Sequence, residues 1–83
     1  MNEVKLLGRQ NDQKYKISEK YSVGFYTLAG YAVFRYYEKR ELGLWEINRD
    51  RMLGRLSSEE SKKLSDFEAE KKEKYKTYEV YIM

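Results

Sequence analysis

Residues 21–47 decide the fold, and they read YSVGFYTLAGYAVFRYYEKRELGLWEI. β-Branched and aromatic residues dominate this stretch, and two short breaks interrupt it: Ala29-Gly30 and the polar segment 38–41. Residues of this kind favour strands, and turn-forming breaks between such runs predict hairpins. The expected strands of the resulting antiparallel meander are Val23–Leu28, Tyr31–Tyr37 and Leu44–Asn48.

The middle strand is predicted to have two different faces, because successive side chains of a strand point to opposite sides. One face carries Tyr31, Val33, Arg35 and Tyr37, and the other carries Ala32, Phe34 and Tyr36. On the returning strand, Trp45 and Ile47 share a face. A single helix over Phe25–Leu42 is the competing interpretation, although Gly30 and the β-branched content argue against it.

Further short elements flank the meander. Val4–Leu7 is a candidate edge strand, and Lys14–Ser18 alternates so that Tyr15 and Ile17 are directed inward. The segment after the last hairpin predicts a helical turn with a bend at Gly54. This segment is Arg49–Leu56, and its expected buried residues are Met52, Leu53 and Leu56.

From Ser57 onward the sequence predicts a helix that extends to about Lys76. Ser57 and Glu60 have the spacing of a capping box, and the residues that follow are rich in Glu, Lys and Ala. The narrow apolar stripe of this helix consists of Leu64, Phe67 and Tyr75, interrupted by Lys71. We therefore expect most of the helix surface, including the charged run Glu68–Lys74, to be solvated.

The last residues predict one more strand, because Thr77–Met83 alternates between apolar and polar side chains. The chain has 83 residues and no Pro, which indicates one domain spanning residues 1–83. The predicted fold class is α+β. It consists of an antiparallel β-meander of about four or five strands, one long C-terminal helix packed on it, and a final C-terminal strand.

The inventory of side chains argues against catalysis. There is no His and no Cys, so Ser-His-Asp triads, Cys-His pairs and Cys-based metal sites are excluded. The five glycines form neither a dinucleotide-binding nor a phosphate-binding loop motif. We therefore predict no catalytic residue, no metal site and no cofactor.

The expected location is cytoplasmic, since a chain without Cys fits a reducing compartment. The N-terminal residues, with Glu3 and Asp12, lack the apolar run of a signal peptide. The longest uncharged run, Tyr21–Phe34, has 14 residues, whereas a membrane span needs about 20. No membrane partner is expected.

A protein is the partner that the composition favours. The chain has nine Tyr and one Trp, and Tyr, Trp and Arg are enriched in protein interfaces. The expected function is stoichiometric association with a protein target, as an inhibitor or accessory subunit of the kind that phages or mobile elements encode. A homodimer formed through an exposed edge strand belongs to the same interpretation.

Nucleic acid is the alternative partner, bound on a Tyr/Arg/Lys-rich face of the sheet. Residues 1–56 carry 11 Lys or Arg against 7 Asp or Glu, a modest positive excess. For either partner the candidate binding residues are Tyr31, Arg35, Tyr37, Lys39, Arg40, Trp45 and Arg49. A lone Trp in so small a protein has a second interpretation as a core residue.

Residues 30–36 partly match the first ribonucleoprotein motif of RNA-recognition domains, but the match fails in two places. Ala29 stands where that motif has a basic residue, and Val33 and Phe34 are exchanged relative to its pattern. The residues between Leu7 and Gly30 also predict strands, whereas that domain has a helix there. The sequence is therefore not assigned to this family.

Overall fold

The computed structural model describes residues 8–77 and confirms the predicted α+β fold. A four-stranded antiparallel meander, in the order β1-β2-β3-β4, carries a long helix on one face. The elements are β1 (Gln10–Lys16), β2 (Tyr21–Leu28), β3 (Tyr31–Arg40), β4 (Gly43–Ile47), α1 (Arg49–Leu53), α2 (Ser58–Lys74) and β5 (Lys76–Thr77). The predicted strand Val4–Leu7 and residues 78–83 of the predicted final strand lie outside the described residues.

Strand β3 is the centre of the sheet. It pairs with β2 along its whole length, from Tyr31 opposite Leu28 to Glu38 opposite Tyr21. Its other edge pairs with β4 from Tyr36 onward and, in parallel, with β5 at its beginning. The predicted hairpin between β3 and β4 is confirmed, and the competing helix over Phe25–Leu42 is wrong.

A two-residue turn joins β2 to β3. Ala29 and Gly30 both have positive φ angles, 53° and 84°. Two consecutive residues of this kind form the type I′ turn, whose twist matches that of the strands it connects. The turn therefore fixes the hairpin register that places alternate residues of β3 on opposite faces.

The hydrophobic core lies between one face of the sheet and the two helices. Its fully buried side chains include Val23, Phe25, Met52 and Leu64. The Phe67 ring of α2 stacks on Tyr15 of β1, with ring centroids 4.8 Å apart. As predicted, Ala32 and Tyr36 are buried with Phe34 beside them, and Ile17 is directed inward. In the segment after β4, Met52 is buried, while Leu53 and Leu56 are partly buried.

The capping box at the beginning of α2 is confirmed. The Ser57 hydroxyl accepts a hydrogen bond from the Glu60 amide (3.1 Å), and the Glu60 carboxylate accepts one from the Ser57 amide (2.9 Å). The helix ends at Lys74, earlier than predicted, because Tyr75 adopts an extended backbone (φ −132°, ψ 151°) and Lys76 pairs with β3.

Two residues of the charged run Glu68–Lys74 are not solvated, which corrects the prediction. Glu68 and Lys71 retain 4% and 6% of their exposure. The Glu68 carboxylate is compensated by Arg49 and by the Tyr36 hydroxyl, and a buried charge of this kind requires such partners. The Lys71 ammonium lies 5.1 Å and 5.2 Å from the ring centroids of Phe25 and Phe67. Within residues 8–77, no helix is both long and apolar enough to cross a membrane.

Candidate functional site

The sheet face opposite α2 carries a regular array of polar and aromatic side chains. The strand register groups its residues as Lys14, Lys16, Ser22, Gly24, Tyr26, Tyr31, Val33, Arg35, Tyr37, Lys39, Leu44 and Glu46. None of the described helices packs on this face, since the core contacts of α1 and α2 involve the other one. Four of the predicted binding residues, Tyr31, Arg35, Tyr37 and Lys39, are brought together here.

Three depressions join into one groove: the first two lie on this side of the sheet, and the third lies at its end, where residues of both faces line it. The first is lined by residues that include Arg9, Lys14, Tyr26, Arg35, Tyr37 and Leu44. The second shares Lys14 and Leu44 with the first and adds Lys16, Lys20 and Lys39. The third shares Lys20 and Lys39 with the second and ends at Glu38, Arg40 and Glu41. We call this continuous surface, from Arg9 to Arg40, the open-face groove.

An aromatic ring lies in the open-face groove where a glycine makes room for it. A Cβ atom added to Gly24 would lie 3.2 Å from Cε2 of Tyr37, so the Tyr37 ring rests against the backbone of β2. The Lys14 ammonium is 5.9 Å from the centroid of this ring. Deeper along the groove, the Arg9 guanidinium lies 4.1 Å from the Tyr26 ring. The groove therefore combines rings with cations placed near them.

Positive side chains outnumber negative ones along this groove. Its three depressions are lined by seven Lys or Arg side chains and four Asp or Glu side chains. Helix α2, behind the sheet, carries five Lys and six Asp or Glu. Arg35 is neutralised by Glu46 of β4, with Nη2 to Oε1 at 3.2 Å. Two lysines of the groove are also paired, with Glu19 and Glu38, so the available lysine charge belongs mainly to Lys14 and Lys39.

A buried carboxylate surrounded by cations lies at the end of the groove, on the face of β3 that is directed toward the helices. Glu38 is 3% exposed. Arg40 donates Nε (3.0 Å) and Nη2 (2.9 Å) to its Oε1, Arg55 donates Nη1 to its Oε2 (3.1 Å), and the Lys20 ammonium is 3.6 Å from Oε2. Tyr21 also donates its hydroxyl to Oε2 (3.3 Å). The hydrogen bonds from Arg40 hold the pKa of Glu38 below its ordinary value. We call Glu38, Lys20, Arg40 and Arg55 the Glu38 cluster.

Exposed apolar side chains occupy the tip of the β3–β4 hairpin. Leu42 is 90% exposed, and Leu44 and Trp45 are 47% and 50% exposed. The Arg40 guanidinium lies 5.0 Å from the Trp45 ring centroid. We call Leu42, Leu44 and Trp45 the tip patch. Its exposure shows that the core interpretation of Trp45 is wrong, because β4 carries this ring beyond the area that the helices cover.

The remaining predicted binding residue lies elsewhere. Arg49 donates Nε (2.8 Å) and Nη2 (2.7 Å) to Glu68, and it ties the beginning of α1 to the middle of α2. These hydrogen bonds raise the pKa of Arg49. Arg49 therefore lies away from the groove, and its donors form hydrogen bonds that stabilise the fold.

Sequence reasoning did not select several residues of the site. Lys14 and Lys16 alternate with the inward Tyr15 and Ile17, and this alternation was sufficient to place them on the open face. Gly24, Lys20 and Arg55 gave no such signal, since their roles depend on contacts with distant segments. Among residues 8–77, no group of three or more Asp or Glu side chains is arranged to hold a metal ion.

Comparisons with known proteins give no family. The sequence matches no protein-family model, and no curated protein and no solved structure is significantly similar to it. The function must therefore be inferred from the geometry above.

Proposed function

We propose that this protein is a non-catalytic binding protein that holds single-stranded nucleic acid in the open-face groove. The observation that supports this proposal is that four lysines line one depression of the open-face groove, and that the Tyr37 ring, with Lys14 near it, lines the adjoining depression. These lysines are Lys14, Lys16, Lys20 and Lys39. The alternative partner class of the sequence analysis is therefore favoured by the geometry.

The electrostatic part of the proposal follows from the charge of the groove. Phosphodiesters are recognised mainly by Lys and Arg, and each neutralised phosphate releases bound counterions. The groove lining carries seven cationic and four anionic side chains, whereas the charges of α2 nearly balance. A polyanion is therefore attracted to the groove more than to α2.

The aromatic part of the proposal favours a single strand over a duplex. The Tyr37 ring lies against Gly24 with Lys14 near it, an arrangement that presents a ring together with a cation. Aromatic side chains of sheet-based binders stack on unpaired bases, and the bases of a duplex are already stacked on each other. A single strand can therefore use both Tyr37 and the lysines.

Fluorescence anisotropy tests this proposal. A labelled oligo(dT) and a labelled oligo(rU) of about 15 nucleotides are titrated with protein at about 50 mM and about 200 mM salt. We expect saturable binding that weakens steeply with salt. Flat anisotropy with both oligonucleotides at the lower salt concentration would refute the proposal.

Matched variants separate the two contributions. Lys14→Ala and Lys39→Ala should each reduce the slope of log K against log salt by about 0.7, the value for one phosphate contact on a single strand. Tyr37→Leu should weaken binding by about tenfold and leave the slope unchanged, because stacking is not ionic. Lys72→Ala, an exposed lysine of α2, is the control and should change neither quantity.

A protein target is the second candidate, and the tip patch favours it. Leu42, Leu44 and Trp45 are all exposed near the tip of the hairpin, with Leu44 on the open face and Trp45 on the other, and Arg40 lies over Trp45. Exposed apolar clusters mark contact surfaces, and Trp and Arg are frequent binding hot spots. Among the described strands β4 lies at an edge of the sheet, which offers a route to a homodimer.

Two measurements test the second candidate. Light scattering over a concentration series detects a homodimer, and Leu42→Lys should then return the protein to a monomer. For a different protein, a photo-crosslinking residue in place of Leu42 should give a nuclease-resistant adduct in cell extract. This adduct should disappear with Trp45→Ala and be absent when the crosslinker replaces Lys72. An adduct that forms equally from both positions would contradict a specific contact.

A further inference from the structure

We propose that the Glu38 cluster binds the terminal phosphate monoester of the strand held in the open-face groove. This inference rests on the proposed function and assigns a specific part of the ligand to a specific part of the groove. The observations that carry it are the charge of the cluster, the fixed positions of its cations and its place at the end of the groove.

The net positive charge of the cluster matches an anion of charge near −2. Three cations, Lys20, Arg40 and Arg55, contact the one carboxylate of Glu38, so two positive charges are not balanced within the cluster. A phosphate monoester carries about −1.5 to −2 at pH 7, whereas an internal phosphodiester carries one negative charge. The terminal phosphate of a strand is therefore the better match.

The cations of the cluster are accessible while the carboxylate is not. The side chains of Lys20, Arg40 and Arg55 are 58%, 44% and 50% exposed, against 4% for Glu38. Each guanidinium has five N–H donors, which is more than its contacts with Glu38 use. Glu38 thus holds the cationic groups from below, and donors remain for an anion that arrives from solvent.

The position of the cluster explains why a strand end is involved. Lys20 and Lys39 line both the middle of the groove and its last depression, which residues of both faces line at the end of the sheet. The end of a strand that lies along the groove therefore reaches Arg40 by passing round the end of the sheet. The half-exposed ring of Trp45 lies beside Arg40, at 5.0 Å, and offers a surface on which the terminal base can stack. Phosphate recognition and base stacking then act on the same nucleotide.

Binding of three oligonucleotides with one sequence tests this inference. One has a 5′-phosphate, one has a 3′-phosphate, and one has hydroxyls at both ends. We expect one of the phosphorylated strands to bind about tenfold more tightly than the strand without a terminal phosphate, the effect of added charge-assisted hydrogen bonds. Equal binding of all three would overturn this inference and leave the proposed function standing. Failure of all three to bind would overturn both.

The variant Glu38→Gln distinguishes a built site from general attraction. It removes a negative charge, so simple electrostatics predicts tighter binding of every strand. The inference predicts the opposite for selectivity: without the carboxylate the cations are no longer held, and the tenfold preference is lost. A preference that persists or grows in Glu38→Gln would contradict the assignment.

A second variant keeps the test decisive if Glu38→Gln does not fold, which circular dichroism and thermal unfolding will show. Arg55→Lys preserves the charge at a half-exposed position but removes the guanidinium geometry. It should reduce the preference for the phosphorylated strand to less than about threefold, while the affinity for the strand without a terminal phosphate stays unchanged. An unchanged preference in Arg55→Lys would contradict the inference. Arg51→Lys, an exposed residue outside the cluster, is the matched control.

Discussion

The buried contact between Glu68, Arg49 and Tyr36 should be a principal connection between helix α2 and the sheet. Glu68 is 4% exposed and accepts hydrogen bonds from Arg49 Nε (2.8 Å), Arg49 Nη2 (2.7 Å) and the Tyr36 hydroxyl. The substitution Glu68→Ala leaves a guanidinium and a buried hydroxyl without their shared acceptor. Removing one partner of a buried ion pair typically costs about 3–5 kcal/mol.

The expected loss lies near the lower end of that range. The Arg49 side chain is 41% exposed, so water can solvate part of the abandoned guanidinium. The Tyr36 hydroxyl is buried and loses its acceptor, which typically adds about 1–3 kcal/mol in isolation but is not additive with the first cost. We therefore expect Glu68→Ala to lower the free energy of unfolding by about 3–4 kcal/mol. A domain of this size has roughly 4–12 kcal/mol in total.

Urea denaturation followed by circular dichroism measures this loss. If the free energy of unfolding falls by about 1 kcal/mol per molar urea, the urea concentration at the midpoint of unfolding should fall by about 3 M. Glu70→Ala is the matched control, because Glu70 lies exposed on the same helix and its loss should change stability by less than about 0.5 kcal/mol. A loss below about 1 kcal/mol for Glu68→Ala, or equal losses for the two variants, would refute the reasoning.

Three further predictions concern the Glu38 cluster, the groove and the helix cap. The pKa of Glu38 is lower in the folded state than in the unfolded state. The ionised Glu38 therefore contributes its full stabilisation above the unfolded pKa of about 4.3, and this contribution is lost as the pH falls through the folded pKa. Urea titrations should therefore show that Glu38→Gln loses less stability than the wild type below about pH 4; an equal loss would contradict this. Gly24→Ala should displace the Tyr37 ring and weaken oligonucleotide binding severalfold, as measured by anisotropy, and unchanged affinity would count against the ring's role. Ser57→Ala should cost about 1 kcal/mol in thermal unfolding, against less than about 0.5 kcal/mol for its exposed neighbour Ser58→Ala, and equal costs would exclude the capping box as the cause.

Much of the fold could be predicted because its signals are local. Alternation of side chains placed Tyr31 and Tyr37 on one face of β3 and Tyr36 on the other, and the register confirms this. The break at Ala29-Gly30 and the capping box at Ser57 each depend on a few adjacent residues. The sequence alone indicates such features because their signals lie within a few adjacent residues.

The burial of charged residues could not be predicted, because their partners come from distant segments. The charged run around Glu68 is typical of a solvated helix surface, but Arg49, 19 positions earlier in the chain, donates a hydrogen bond to its carboxylate. Glu38 resembled a turn residue, yet Arg55, 17 positions later, donates to its carboxylate. The charge pattern of a helix indicates which side chains can interact within that helix. It does not indicate which residues of other elements they contact.

The candidate site was predictable in part for the same reason. Arg35 and Tyr37 share the predicted strand, so alternation was enough to group them, whereas Lys39 belongs to the predicted turn 38–41 and joins them only because β3 extends to Arg40. Their meeting with Lys14 and Gly24 depends on the register of β1, β2 and β3, which pairs Gly24 with both Lys14 and Arg35. The exposure of Trp45 depends on how far the helices extend over the sheet, which its neighbours in the sequence do not indicate.

The central claim is that the open-face groove binds a single strand, and amide chemical-shift mapping tests it most directly. Nitrogen-15-labelled protein is titrated with oligo(dT), and the amide signals are followed residue by residue. We predict that the amide signals of Lys14, Gly24 and Tyr37 shift together and saturate together, while those of Lys62 and Glu70 on α2 stay unchanged. Shifts confined to α2, or a spectrum that does not change at saturating oligonucleotide, would contradict it.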